Sequence, residues 1–343
     1  MRILLATHAF HPQVGGLETV ARVLADEFAA AGHEVTVVTR SQTGNSGIKL
    51  DKEDFPYPVL RLPSARDLLR AVRRCEVYFQ HNISLQTLWP LALARRPWVV
   101  SFQTWLTRPD GSVGWQDRVK RLAVRAGRCV AISQGVADSL PVPSVLIGNP
   151  YDENLFRRLP GANHTSDLVF LGRLVTDKGV DLLLDALAEL RREGLTPTLT
   201  VVGGGPEAGN LTGRVAELDL AGQVQFVGVQ TGESLVRTLN AHRVLVVPSR
   251  WPEPFGVVAL EGIACGCVVV GSEGGGLRDA IGPCGETFPN GDARALAASL
   301  RRVLADPAHA ESLRAPAGAH LARFRPGEVA RSYLRVFEEA LAA

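Results

Sequence analysis

"DLVFLGRLVTDKGVDLLLDALAELRREG", from Asp167 to Gly194, joins an apolar segment to an amphipathic one through a short polar loop. The Leu, Val and Phe side chains at its start are typical of a strand. In its second half the apolar residues recur at helical spacing, and Gly194 ends the helix. A strand that leads through a short loop into a helix is the repeating unit of a parallel α/β sheet.

The same alternation occurs on both sides of this stretch. "RILLATHAF" and "EVTVVT", with an amphipathic helix between them, open the chain as β–α–β. Residues 149–167, rich in Asn, Pro, Gly and Asp, form a linker, after which strands and helices alternate again. We predict an α/β protein with two doubly wound parallel sheets, in domains 1–150 and 151–326, and a terminal helix at about 327–343. Ligands bind beyond the carboxyl ends of such strands, so we expect the domains to face a cleft.

The composition is typical of a soluble protein with sizeable cores, since 46% of the 343 residues are hydrophobic and 21% are charged. The apolar run at the N-terminus is too short for a secretion signal, and no later stretch approaches the roughly 20 apolar residues of a membrane span. We therefore predict a cytoplasmic location. The five cysteines lack zinc-ribbon spacing and are predicted to be reduced, buried thiols.

Positive charge is concentrated in the first half of the chain. Residues 1–160 hold 20 Lys and Arg against 14 Asp and Glu, although the whole chain carries only +2. The stretch "WQDRVKRLAVRAGR" is predicted to place Arg118, Arg121, Arg125 and Arg128 on one helical face. This helical face is either solvated or in peripheral contact with the inner surface of an anionic membrane.

"WPEPFGVVALEGIACG", from Trp251 to Gly266, sets two carboxylates around one apolar helix. A proline and a glycine after Glu253 predict that the helix begins near Phe255 to Val257. Glu253 then precedes a helix N-terminus, where free backbone N–H groups bind anions or hydroxyls, and Glu261 lies about a turn and a half further on. Such carboxylates suit the hydroxyls of a sugar. The alternative is that Glu253 caps the helix and Glu261 pairs with an arginine.

A pair of cations indicates a phosphate site. Arg173 follows a predicted strand and Lys178 stands five residues later, just before a helix. Two cations beside a helix N-terminus can bind a phosphate, although the same pattern also occurs on ordinary surfaces.

Two glycine-rich turns allow close approach of backbone to a ligand. Gly203 and Gly204 follow the strand "LTVV", and Gly15 and Gly16 lie in the first β–α turn, "QVGGLE". The first turn lacks the G-x-G-x-x-G spacing, and no acidic residue clearly ends the second strand. Both points count against a nicotinamide dinucleotide site.

The order of these stretches resembles the retaining glycosyltransferases of family four, also called glycosyl transferases group 1. The resemblance covers most of the chain and is strongest from Leu168 to Asp292. It implies the GT-B fold, with two Rossmann-like domains, an acceptor-binding one first and a nucleotide-sugar-binding one second. It also implies that the terminal helix crosses back to the first domain.

The resemblance implies roles for the residues that match the family pattern. Arg173 and Lys178 resemble the pair that holds the donor diphosphate. Glu253 and Glu261 are similar to the E-x7-E glutamates, the first near the transferred sugar and the second on the nucleotide ribose. The following glycines and backbone N–H groups are implied to contact the donor: Gly15, Gly16, Gly203, Gly204, Phe255, Gly256 and Val257.

The reaction implied is a hexosyl transfer with retention at the anomeric carbon, in cell-envelope or glycoconjugate biosynthesis. The donor is a UDP- or GDP-linked sugar, and the acceptor is a hydroxyl of a glycan, a lipid-linked molecule or a small molecule. The cations stand in for a metal and no Asp-x-Asp motif occurs, so we predict metal independence and no cofactor beyond the donor itself. We expect no nucleic-acid partner.

Two stretches depart from the family pattern. Gln103 stands where many relatives carry a histidine that contacts the donor sugar, and it cannot exchange a proton at neutral pH. Arg278 and Asp279 occupy the usual Pro and Glu positions of a later loop. His8, His81 and Trp105, with Gln103, are candidate contacts for the acceptor or sugar. The alternative for the histidines is a hydrogen-bonded loop position, and for the tryptophan a hydrophobic lid.

Three other functions are compatible with parts of the sequence. A nucleotide-sugar epimerase of the same fold would need carboxylates placed as bases beyond the two glutamates above. An NAD-linked oxidoreductase would need a dinucleotide fingerprint in the first turn. A non-catalytic sugar-nucleotide-binding protein would be expected to lose the phosphate cations or Glu253, and all three residues are present.

Overall fold

The computed structural model describes residues 1–12, 16–41, 55–106 and 114–343, and these form two compact units. Unit 1 comprises Met1–Pro150 together with Pro326–Ala343, and unit 2 comprises Tyr151–Arg325. Each unit contains one sheet in which all the pairings between strands are parallel. The predicted fold class, with two doubly wound parallel sheets, is confirmed.

The sheet of unit 1 has seven strands among the described residues, in the order β3-β2-β1-β4-β5-β6-β7. The order changes direction between β1 and β4, where Thr7 pairs with His81 at the carboxyl ends. The β3 strand was not predicted from the sequence. The strands are β1 Arg2–Thr7, β2 Glu34–Thr39, β3 Val59–Arg61, β4 Val77–His81, β5 Trp98–Phe102, β6 Arg128–Ala131 and β7 Val145–Leu146.

The sheet of unit 2 has six strands in the order β10-β9-β8-β11-β12-β13, and its direction changes between β8 and β11. Central strands such as "VLVV" are buried on both faces, which explains their unbroken apolar sequence. The strands are β8 Ser166–Leu171, β9 Leu199–Val202, β10 Val224–Gly228, β11 His242–Val247, β12 Val268–Ser272 and β13 Gly285–Phe288.

Helices connect the strands in both units. Short 3-10 turns occur at Trp89–Ala92, Val124–Ala126 and Thr176–Lys178. The first seven helices are α1 Gly16–Ala30, α2 Ala65–Arg74, α3 Leu85–Leu88, α4 Trp115–Ala123, α5 Gln134–Asp138, α6 Val180–Arg192 and α7 Ala208–Glu217. The others are α8 Gly232–Ala241, α9 Val257–Ala264, α10 Leu277–Ile281, α11 Ala293–Ala305, α12 Pro307–Arg314, α13 Ala317–Ala322 and α14 Pro326–Ala342.

The terminal helix α14 belongs to the core of unit 1. It packs against α1, and its Tyr333 and Phe337 are almost wholly buried. The Phe337 ring lies 5.4 Å from the ring of Phe28 and 5.2 Å from that of Phe79, measured between centroids. The last residues of the chain therefore complete a core that the first residues begin.

The prediction of four arginines on one helical face is wrong. Helix α4 ends at Ala123, so that Arg125 lies in a 3-10 turn and Arg128 begins β6. After the 3-10 turn the backbone is extended at Gly127, where an added Cβ would lie 2.5 Å from the indole of Trp98, and the chain passes into β6. The helical spacing of the arginines in the sequence therefore extends beyond the last residue of α4.

The cysteine prediction is confirmed, since all five cysteines are free and buried. Burial raises the pKa of each thiol above its ordinary value, which favours the neutral form. In the described part of the chain, no helix is both long enough and apolar enough to cross a membrane.

Candidate active site

The direction change in the sheet of unit 2 brings Lys178 and Glu253 together. Lys178 ends the 3-10 turn after β8, and Glu253 lies in the loop after β11. The Lys178 ammonium donates a short hydrogen bond to Glu253 Oε1, and Ser249 Oγ donates to the same oxygen at 2.6 Å. The two charged side chains are 24% and 15% exposed. Such a topological switch point is the usual ligand site of an open α/β sheet.

Backbone contacts hold the loops after β8 and β11 together. The Arg250 N–H donates to the carbonyl of Asp177 at 2.9 Å, and the Arg250 guanidinium pairs with Asp181 at 2.6 Å. Gly179 has φ of 68° and lies so close to Pro248 that an added Cβ would be 2.0 Å from its carbonyl oxygen. The separation of Lys178 from Glu253 is therefore set by the backbone as well as by their charges.

Asn290, which follows β13, links two further loops to the site. Its side-chain oxygen accepts from the Gly274 N–H at 2.7 Å, and its amide donates to the Ser249 carbonyl at 3.0 Å. The Gly276 N–H donates to the Glu253 carbonyl at 2.6 Å. Neither Ser249 nor Asn290 was predicted as a site residue. The only sequence signal was the position of Asn290 in "GETFPNGD", one of the stretches that carry the family resemblance.

Helix α9 begins beside Glu253, as the sequence predicted. Gly256 caps it in the left-handed region, with φ of 95°, and an added Cβ would lie 2.5 Å from Leu277 Cδ1. The Phe255 side chain is buried against the ring of Phe324, so only its backbone can reach a ligand. Val257 is the first residue of the helix. The helix N-terminus therefore stands next to the Lys178–Glu253 ion pair, at the place required for an anion site.

Glu261 is half-buried in α9, and burial raises its pKa to about 7, with a smaller contribution from the carboxylate of Asp152. Among the described residues, no arginine or lysine pairs with Glu261. The alternative interpretation, with Glu253 as a cap and Glu261 in an ion pair with arginine, is wrong on both counts. Gly256 is the cap of α9 and no side chain in the described part of the chain makes a cap hydrogen bond there, and Glu253 is the glutamate that pairs with a cation. Glu261 is thus left as a buried hydrogen-bond acceptor.

Arg173 lies in the same loop as Lys178, and its side chain is exposed. No hydrogen bond or ion pair within the described parts of the chain holds its guanidinium. The adjacent Leu174 N–H donates to the carbonyl of Gly204 at 2.9 Å, which ties this loop to the glycine turn after β9. Arg173 is therefore positioned by its backbone, with a side chain that can turn toward a ligand.

The turn after β9 contains glycine because a neighbouring loop packs closely against its backbone. Gly203 has φ of 147°, and an added Cβ would lie 1.8 Å from the carbonyl oxygen of Gly172. Gly204 has more room, since its nearest neighbour is Val229 Cγ2 at 3.2 Å. At Gly203 the close approach is to the neighbouring loop, and contact of either glycine with a ligand stays a prediction.

The carboxyl edge of the sheet in unit 1 contains buried polar groups without partners. His81 ends β4 and is only 1% exposed, and neither ring nitrogen has a hydrogen-bond partner among the described residues. Burial lowers the pKa of His81 to about 3, so its imidazole is neutral at physiological pH. Gln103, just after β5, is buried too, and its Oε1 likewise lacks a partner in the described structure. Buried groups of this kind point to a ligand or water.

Gln103 is oriented by a residue from the far end of the chain. Its amide donates to Ser101 Oγ at 2.6 Å, and Ser101 Oγ is hydrogen-bonded to the hydroxyl of Tyr333 in α14 at 2.8 Å. Burial raises the pKa of Tyr333 above its ordinary value. The amide nitrogen of Gln103 donates to Ser101, so the amide oxygen remains as the hydrogen-bond acceptor for a ligand. Sequence analysis did not predict Ser101 or Tyr333.

The other predicted contacts of unit 1 differ in their surroundings. His8, just after β1, is exposed, and Trp105 is half-buried. Gly16 is the first residue of α1, and no atom of the described residues lies within 4 Å of an added Cβ, whereas Gly15 lies outside the described residues. In the described ranges, no group of three His, Cys, Asp or Glu side chains is arranged to hold a metal ion.

Solved structures with this fold define its class. The structure of Anabaena HepE in complex with UDP matches 99% of this chain and 100% of that chain with a TM-score of 0.83, at 20% identity. The fold is that of the GT-B glycosyltransferases. The family model "Glycosyl transferases group 1" matches residues 152–318, and the model "Glycosyltransferase Family 4" matches residues 14–142. The chain belongs to this family, as the sequence resemblance indicated.

Two relatives illustrate the range of similarity. The D-inositol 3-phosphate glycosyltransferase of Jonesia denitrificans is 36% identical over 185 residues, which are 51% of this chain. The match spans only 43% of that relative's length. The GDP-mannose-dependent alpha-(1-6)-phosphatidylinositol monomannoside mannosyltransferase of Mycolicibacterium smegmatis is 28% identical over 364 residues, 93% of each chain.

Proposed function

We propose that the protein is a retaining, metal-independent hexosyltransferase that uses a nucleotide-diphosphate sugar. The observation that carries the proposal is the Lys178–Glu253 ion pair at the switch point of unit 2, next to the N-terminus of α9. A cation, a helix N-terminus and a carboxylate in one place suit a ligand with both phosphate and hydroxyl groups. A donor of this kind has both.

The relatives indicate the chemical class of the donor and of the acceptor. HepE was solved with UDP, and the mycobacterial relative is named for GDP-mannose, so UDP- and GDP-linked sugars are both candidate donors. The relatives' names contain an inositol phosphate and a phosphatidylinositol mannoside as acceptors. We propose a hydroxyl of a glycan, a lipid-linked molecule or a small molecule as the acceptor for this chain.

In the proposed reaction the bond between the anomeric carbon and the diphosphate oxygen breaks. The acceptor oxygen bonds to the same face of that carbon, and its proton passes to the departing diphosphate oxygen. Arg173 and Lys178 stabilise the negative charge that develops on this leaving group. Removing one such group typically raises the barrier by about 2.7–4 kcal/mol. Because these cations take the place of a metal ion, no metal is needed.

Each glutamate has a distinct part in this proposal. Glu253 is held by Lys178 and Ser249 and accepts from hydroxyls of the transferred sugar. Glu261 lies deeper in α9 and accepts from the ribose hydroxyls, which satisfy its buried carboxylate. In unit 1, His81 and Gln103 offer neutral hydrogen-bonding atoms to the acceptor or sugar, with His8 and Trp105 as further contacts.

A thermal-shift screen tests the donor class first. We expect UDP or GDP, or one of their sugars, to raise the melting temperature equally with and without EDTA. Lys178→Ala and Glu261→Ala should abolish the shift, whereas Arg237→Ala, which removes an exposed cation elsewhere in unit 2, should retain it. With the donor known, Lys178→Ala should lower kcat by about 100- to 1,000-fold.

Other outcomes would contradict the proposal. A shift with NAD or NADP alone would favour the oxidoreductase, and interconversion of two nucleotide sugars without an acceptor would favour the epimerase. The matching family model and the relatives described above are glycosyltransferases and give the epimerase no support. Donor binding without any transfer would indicate the non-catalytic binding protein, and loss of activity in EDTA would overturn metal independence.

A further inference from the structure

Unit 1 exposes a group of large apolar side chains on α4 and at the 3-10 turn that follows α3. Trp115 is 70% exposed, Leu122 65% and Leu93 63%, and Val119 and Trp89 are also exposed. We call these five residues the α3–α4 face. Scattered single apolar residues are normal on a protein surface, but a cluster that includes two indoles marks an interaction site.

A groove of about 710 Å³ runs through this face. Trp89 and Val119 line it together with Leu88 from α3 and Trp98 from β5. Apolar side chains from the β4–β5 and β5–β6 connections therefore line the groove. Its volume is within the range of sites that hold apolar ligands or side chains.

Cations surround the α3–α4 face with little opposing charge. Arg95 and Arg96 line the groove, and α4 and the turn after it add cations. In the described residues from 85 to 126, Asp117 is the only carboxylate, and it is buried and accepts from the Gly114 N–H. The cations on α4 and its following turn are Arg118, Lys120, Arg121 and Arg125.

We propose that the α3–α4 face docks on a lipid bilayer with anionic headgroups, an interaction that goes beyond the transfer reaction. Indole rings prefer the boundary between headgroups and acyl chains, where Trp89 and Trp115 would lie. Leu93 and Leu122 would reach into the acyl region, as the apolar side of an interfacial helix does. The surrounding Lys and Arg side chains attract the headgroup phosphates.

The charge distribution favours a bilayer over a second copy of this chain. A symmetric dimer through this face would bring the same cations of two subunits against each other, and like charges across an interface disfavour association. An anionic surface removes that repulsion. Neutral protein partners would leave the cations without a counterpart.

Co-sedimentation of the full chain with vesicles tests the proposal independently of donor and acceptor. We expect binding to vesicles of phosphatidylglycerol and phosphatidylcholine in equal parts, weaker in high salt, and little binding to phosphatidylcholine alone. The double variants Trp115→Ser/Leu122→Ser and Arg95→Glu/Arg118→Glu should each weaken binding at least about tenfold. The matched controls are Val229→Ser, which changes a 74% exposed apolar residue of unit 2, and Arg237→Glu. Both should bind as the parent chain does.

Three results would overturn the proposal. One is the absence of binding to anionic vesicles, and another is equal binding by the parent chain and both double variants. The third is a dimer of the parent chain in analytical ultracentrifugation that Trp115→Ser/Leu122→Ser converts to a monomer, since the face would then be a subunit interface. Circular dichroism of each double variant confirms that a loss of binding is not a loss of folding. The vesicle experiment does not measure transferase activity. Failure of the docking proposal can therefore be distinguished from failure of the proposed function.

Discussion

Glu261 shows how a single residue can favour ligand binding at the expense of folding. Burial of its carboxyl group, with a smaller contribution from the charge of Asp152, disfavours the charged form and raises the pKa to about 7. The folded protein therefore holds this proton more tightly than the unfolded chain does. The stabilisation that results is fully present below the ordinary Glu pKa of 4.5 and is lost as the pH rises through 7.

Replacing this carboxyl group should stabilise the protein above neutral pH. We expect Glu261→Gln to raise the free energy of unfolding at pH 8 by about 2–3 kcal/mol, because the amide avoids the burial of a charge. The gain should roughly halve at pH 5.5 and vanish near pH 4. Urea unfolding across this range measures it, with the exposed Glu339→Gln as a control that should show no such trend. A variant that is less stable than the parent chain at pH 8 would contradict the burial argument.

At the scale of an element, the start of α9 depends on the conformation of one residue. Gly256 turns the chain with φ of 95°, which directs the helix N-terminus to the Lys178–Glu253 pair. A side chain there would have to adopt the left-handed region and would also meet Leu277. The loop, the helix and the ion pair are therefore one geometric unit, and a change at Gly256 acts on all three.

Alanine at this position should affect both stability and donor binding. We expect Gly256→Ala to lower the free energy of unfolding of unit 2 by about 1–3 kcal/mol, from backbone strain. It should also weaken the donor-induced thermal shift, since the N–H groups of α9 are displaced. Gly213→Ala is the matched control because Gly213 lies within α7 with nothing near an added Cβ, and it should be neutral or slightly stabilising. Equal stability of the two variants, by urea unfolding, would refute the strain argument.

At the scale of the whole molecule, the two ends of the chain share one core. Helix α14 follows unit 2 in sequence, but its Tyr333 and Phe337 complete the core of unit 1 against Phe28 and Phe79. The same helix orients Gln103 through Ser101. Unit 1 therefore cannot reach its native packing until the last residues of the chain are present.

Truncation of this aromatic contact should destabilise unit 1 selectively. We expect Phe337→Ala to lower its free energy of unfolding by about 3–5 kcal/mol, because it leaves a cavity in a fully buried cluster. Hydrogen exchange should show lost protection in residues 1–150 and unchanged protection in unit 2. Leu341→Ala, at a 42% exposed position of the same helix, should change stability by less than about 0.5 kcal/mol. Equal loss of protection in both units would contradict this assignment.

Local patterns in the sequence predicted much of the fold and part of the site. Alternating apolar strands and amphipathic helices determine two doubly wound sheets, because buried parallel strands and helix faces each leave a periodic record. The spacing of Glu253 and Glu261, and the cations after β8, predicted a site on the loops after β8 and β11, and the structure brings Lys178 and Glu253 of these loops together. The short β3 strand and the end of α4 were not predicted correctly. Both depend on neighbours distant in sequence, β2 in one case and Trp98 in the other.

The sequence by itself determined the order of elements and the residue types available for chemistry. Only the tertiary structure decided which of them meet: Lys178 with Glu253 across 75 residues, and Ser101 with Tyr333 across 232. It also decided that Glu261 stands without a cation among the described residues and that the α3–α4 face is exposed. The reason is physical. Periodicity reports how each segment is buried, whereas partners and pKa values depend on the packing of segments that are distant in the chain.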